Sequence, residues 1–123
     1  MKVSLRMIRK DLLTNEEEVL LETEALLNGN RLLYRESENA RQSVMFGHEI
    51  ILERHADVTS CTVLKPLGRG ISTVDSIYGT MEMETELVDA KRTEEEWMAE
   101  YRLLSGKETV LHQRIIWQIA PKK

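Results

Sequence analysis

The sequence predicts an all-β fold, on three observations. Short runs in which apolar and polar residues alternate with period two recur along the whole chain, the pattern of strands with one buried face. Turn formers punctuate these runs at regular intervals, and no low-complexity tract or internal repeat interrupts them. With 123 residues, 41% hydrophobic and 31% charged, the chain has the size and composition of one globular core, so a single domain over residues 1–123 is expected.

The first run places Val3, Leu5 and Met7 on one face against Ser4 and Arg6. After a turn signal at Thr14-Asn15, the residues Val19, Leu21, Thr23, Ala25 and Leu27 share a face, with Glu22 and Glu24 opposite. Asn28-Gly29-Asn30 then predicts a hairpin, because these residues tolerate the positive φ that tight turns require. Arg31 to Glu38 returns with Leu32, Tyr34 and Glu36 together. Ser43 to Phe46, Glu49 to His55 and Asp57 to Lys65 follow as short strands, and Pro66, Gly68 and Gly70 mark a turn. Ile71 to Ser76 comes next. Thr80 to Leu87 alternates most clearly, with Met81, Met83, Thr85 and Leu87 against Glu82, Glu84 and Glu86. The last two segments are Glu94 to Leu104, with Trp97, Ala99, Tyr101 and Leu103 in step, and Glu108 to Ile119, with Leu111, Ile115, Trp117 and Ile119 in step around Gln113. Ser105-Gly106-Lys107 joins them.

Two segments read equally well as helix. Thr93 and Glu96 form a capping-box pattern ahead of Trp97, Tyr101 and Leu104 at helical spacing, and Asn15 to Leu27 is rich in Glu, Leu and Ala.

The ordered set Leu33-Tyr34-Arg35-Glu36, Ile51-Leu52-Glu53-Arg54 with Asp57-Val58-Thr59-Ser60, Gly68-Arg69-Gly70, and Tyr78-Gly79-Thr80-Met81-Glu82-Met83 with Thr85 resembles the YwiB-like family of bacterial proteins of unknown function. The resemblance covers nearly the whole sequence. It departs at Arg54-His55-Ala56, where the family has Arg-x-Gly, and at Val63-Leu64, where the family strand ends in Phe. What it implies is a small closed antiparallel calycin-type (lipocalin-like) β-barrel of about eight to ten strands, in which both ambiguous segments are strands. It implies no activity, because fold does not fix function.

Composition narrows the function. A formal net charge of −4 argues against nonspecific nucleic-acid binding, which needs excess Lys and Arg. No stretch approaches the ~20 apolar residues of a membrane-spanning helix, and Lys2, Arg6, Arg9 and Lys10 break up any signal-peptide core. Cys61 is the sole cysteine, which fits a reducing cytoplasm. No serine lies in a Gly-x-Ser-x-Gly elbow, and Cys61 has no neighbouring base in sequence. His48, His55 and His112 lack metal-ligand spacing, and Gly68-Arg69-Gly70 lacks the Lys-Ser/Thr of a phosphate loop. A nonenzymatic protein without cofactor or metal is therefore expected.

The residues that stand out are polar ones in step with buried faces. If Leu32 and Tyr34 point inward so does Glu36, and if Ile50 and Leu52 do so does Arg54. These charges must pair, reach the barrel mouth or meet a ligand, because an unpaired buried charge is costly. A bulge turning Arg54 outward is the bland alternative. The leading expectation is a binding barrel for a mainly apolar molecule with one polar or anionic group, with Arg54 as its partner, Tyr34 and Glu36 beside it, and Trp97, Tyr101 and Trp117 lining or plugging one end. The rival is an interaction module with a filled core, monomeric or homodimeric, working through its outer surface.

Overall fold

A computed structural model describes residues 1–122. Its ten strands are β1 (Lys2–Asp11), β2 (Glu17–Asn28), β3 (Arg31–Ser37), β4 (Ala40–Phe46), β5 (Ile50–His55), β6 (Thr59–Leu64), β7 (Gly70–Ser76), β8 (Gly79–Arg92), β9 (Glu96–Ser105) and β10 (Glu108–Pro121). Each strand pairs antiparallel with the next, and β10 returns to pair with β1, so the sheet closes into a barrel. Among the described residues there is no helix, and thus none long and apolar enough to cross a membrane.

Both ambiguous segments are strands. The capping pattern at Thr93 is used, but for a turn: its Oγ1 accepts from the backbone N–H of Glu96 at 3.0 Å and of Glu95 at 3.3 Å just before β9 begins. Ladder pairing on both sides then overrides local helix propensity, because β9 bonds β8 and β10 along its length.

The inward row runs through Val3, Leu5 and Met7 on β1, Leu32 and Tyr34 on β3, Val44 and Phe46 on β4, Trp97, Ala99 and Tyr101 on β9, and Ile115, Trp117 and Ile119 on β10, all buried in one cluster. Val19 departs from the expected face. Met7 pairs with Leu21 and Ile8 with Val19, so Leu20 is an extra residue that flips the register, and Val19 is left exposed on the outer wall. The hairpin between β2 and β3 is tight, and Gly29, at φ +62°, supplies its positive dihedral. Gly70 is required for a different reason. A Cβ there would lie 2.0 Å from the Val63 carbonyl oxygen, to which Thr85 Oγ1 also donates at 2.6 Å.

One end of the barrel is sealed. The Phe46 and Trp97 rings pack with centroids 5.5 Å apart, and the Arg92 guanidinium lies 5.0 Å over Trp97 while donating to the backbone carbonyls of Phe46 and Gly29. The opposite end carries the polar inward residues.

Candidate functional site

Four of the six expected residues form one hydrogen-bonded chain from the core to that polar end. Trp117 Nε1 donates to the Tyr34 hydroxyl at 3.1 Å, Tyr34 donates to Gln42 Oε1 at 2.6 Å, and Gln42 donates to Glu36. Arg54 closes it, its Nε and Nη2 each donating to one Glu36 carboxylate oxygen at 2.9 and 3.0 Å. Burial pushes the Tyr34 hydroxyl well above its ordinary range, so it stays a neutral donor. The Arg54 hydrogen bond holds the Glu36 carboxyl below its ordinary range, with partial burial opposing and Gln42 assisting.

The expected inward direction of Glu36 and Arg54 thus holds, and the bulge falls elsewhere. Arg35 pairs with Arg41 and Ser37 with Ala40, which makes Glu36 the extra residue on β3, while the ladder between β4 and β5 runs unbroken through Gln42 and Arg54.

Tyr101 and Trp97 lie apart from this chain. Tyr101 accepts from Gln113 at 2.6 Å, and Gln113 in turn accepts from Arg9 at 2.6 Å. Trp97 faces Trp117 across the ladder and packs on Phe46 at the sealed end. On the outer wall, Glu100 receives Arg114 at 2.7 Å and contacts His112 at 3.0 Å; burial works against its charge, but these two partners outweigh it and hold the carboxyl below its ordinary range.

One opening lies in the barrel wall. β2 and β3 pair only from Ala25 with Tyr34 to Asn28 with Arg31, after which β2 stays with β1 and β3 with β4. A cleft of about 620 Å3 occupies this seam. Leu26 and Leu33 supply its apolar wall, the inward residues Ala25, Tyr34 and Gln42 its depth, and Lys2, Arg31, Arg35 and Arg41 its positive rim, with His55 beside them. Two carboxylates also line it. Glu24 is taken by Lys122, and Glu53 lies 3.3 Å from His55 Nε2. Among the described residues, no carboxylate lies within ion-pair distance of Arg31, Arg35 or Arg41.

Tyr34 is the one expected site residue that also lines the cleft. Arg35 and Arg41 escaped the sequence reading because they sit on the polar side of their strands, where a lone arginine attracts no notice. The available signal was Arg31, Leu33 and Arg35 alternating outward across a hairpin from Arg41.

No family model matches the chain, and no curated protein matches it. Among solved structures it is similar to the crystal structure of the ywiB protein from Bacillus subtilis, with a TM-score of 0.68 and 14% identity over 99% of this chain and 91% of that one. At this identity the likeness concerns the fold, and the chain has a YwiB-like closed barrel of ten antiparallel strands.

Proposed function

We propose that this protein is a noncatalytic, cofactor-free binding barrel of the bacterial cytoplasm, calycin-type and of the YwiB-like family, and that its ligand is a mainly apolar molecule bearing one anionic group. The observation that carries this reading is the seam cleft, where arginines with no carboxylate partner among the described residues stand beside an apolar wall. Its volume lies within the roughly 300–1,000 Å3 of small-molecule sites. Arg35 and Arg41 are direct cross-strand neighbours, an arrangement that repels unless an anion sits between them. Arg54 is the poorer anion partner, since Glu36 already fills its fork. The apolar part of the ligand lies on Leu26 and Leu33 and reaches toward Tyr34.

Calorimetric titration with decanoate and with decanol tests this. Decanoate binds, decanol binds more weakly, added salt weakens decanoate, and Arg41→Met lowers its affinity about tenfold, the scale of losing one charge-assisted contact. If Arg54→Met abolishes binding in a folded protein while Arg41→Met does not, the anion sits inside the barrel instead.

A second reading, an interaction module that pairs with its own copy, rests on an outward apolar row. Leu26 pairs with Leu33, and Met45, Ile51 and Val63 follow one another across two ladders, with Ile71 half exposed on the next strand. Sedimentation equilibrium showing a monomer at high concentration would remove it.

A further inference from the structure

We infer that the anionic group this cleft recognises is a phosphate monoester, held between Arg35 and Arg41 with His55 at its side; this rests on the binding reading above. Three observations carry it. Arg35 pairs with Arg41, and Arg41 pairs with His55, so three basic side chains stand in one outward row across β3, β4 and β5. Neighbouring strands lie about 4.8 Å apart, a spacing at which two guanidinium forks can grip one anion from both sides. A carboxylate presents only two oxygens and is satisfied by a single fork. A phosphoryl group presents three, carries up to two charges, and can be shared by both arginines.

A second, smaller cavity of about 260 Å3 is lined by Arg35, Glu38, Asn39, Ala40, Arg41 and His55. It shares Arg35, Arg41 and His55 with the larger cleft. The basic row is therefore where the two spaces meet. The apolar body occupies the larger space against Leu26 and Leu33, and the phosphoryl group lies at the junction, where the smaller space gives its third oxygen room and the Asn39 amide. Two acids face this row, Glu53 and Glu38. Glu53 is engaged with His55, and Glu38, at the turn between β3 and β4, lines the smaller cavity without an ion pair to Arg35 or Arg41 among the described residues.

Titrating decyl phosphate, decanoate, decanol and inorganic phosphate, each below its aggregation concentration, tests the inference on the wild type and on Arg35→Met, Arg41→Met and Arg41→Lys. The expected result is that decyl phosphate binds at least about tenfold more tightly than decanoate, with inorganic phosphate weaker than either. Either methionine variant brings the two alkyl anions to near-equal affinity, and Arg41→Lys, which keeps the charge but loses the fork, falls between. Equal affinity of the wild type for decyl phosphate and decanoate overturns the phosphate inference and leaves the binding reading standing. Failure of every alkyl ligand to bind removes both. Tight decyl phosphate binding that ignores all three substitutions also overturns it, since the phosphate would then sit elsewhere. Cosedimentation with vesicles of phosphatidate in phosphatidylcholine, against phosphatidylcholine alone, separates the two sources: pelleting only with phosphatidate assigns the group to a lipid headgroup, and decyl phosphate binding without pelleting assigns it to a soluble molecule.

Discussion

Arg54 and Arg41 lie on neighbouring strands, one register step apart, and meet opposite fates. Arg54, in register with Gln42, points into the barrel and is clamped by both oxygens of Glu36. Arg41, in register with His55, points out of the wall, faces Arg35 and has no carboxylate partner among the described residues. The difference follows from the alternation of a strand. An inward charge loses part of its water as the chain folds, and here a partner built into the neighbouring wall makes up for it. An outward charge keeps its solvation, so a pair of like charges can be tolerated at a cost of a few tenths of a kcal/mol and left free for a ligand. The inner arginine is tied into the fold, and the outer ones are the groups that the proposed ligand would meet.

The comparison is strained hardest from the inside. Tyr34→Phe leaves the Trp117 indole N–H and the Gln42 oxygen without the hydroxyl that satisfies them both, so urea denaturation should show a loss of about 2–3 kcal/mol. A loss under about half a kcal/mol would mean the chain from Trp117 to Arg54 is not holding the fold. Arg54→Met should cost less, about 1–2 kcal/mol, because Arg54 is 43% exposed and water takes over part of its work on Glu36.

Acid sharpens the same contrast. Glu36 and Glu100 both have carboxyls held below the ordinary value near 4.5 in the folded protein. Their stabilisation is complete above that value. As the pH falls below it, the unfolded chain takes up protons before the folded one does, and stability is lost until the pH has passed their lowered folded values. Glu36→Gln should flatten part of that fall in denaturation curves recorded across the acid range. An unchanged slope would show that Glu36 gains nothing from Arg54 on folding.

The smallest effect belongs to the outer wall. Arg41→Met should leave stability within about 0.5 kcal/mol of wild type, with any change favourable because it relieves the repulsion with Arg35. A marked destabilisation would place Arg41 among the structural arginines and erase the distinction.

How far the sequence carried this account depends on what each feature needs to be seen. Eight of the ten strands were legible from period-two alternation and the turn residues that end it; Asn15 to Leu27 and Glu94 to Leu104 read equally well as helix, and only the family resemblance made them strands, because the pairing that overrides helix propensity is not a local pattern. The inward direction of Glu36 and Arg54 was legible only as a condition on strict alternation, since a bulge that would turn Arg54 outward leaves no local mark in the sequence. Val19 was misplaced because one extra residue, Leu20, reverses every face beyond it, and no local pattern marks a bulge. The seam between β2 and β3 could not be read at all, since it arises where two strands stop pairing. Nor could the row of Arg35, Arg41 and His55, which exists only once the register sets them side by side.

The most direct test of the claim that recognition lies on the wall is an amide chemical-shift map of the labelled protein titrated with decanoate. The account predicts shifts confined to Glu24 to Leu26, Leu33 to Arg35, Arg41 to Ser43 and Glu53 to His55, with Trp97, Leu103 and Leu111 unmoved. Shifts centred on Trp97, Leu103 and Leu111, with the cleft silent, would place the ligand inside the barrel and contradict it.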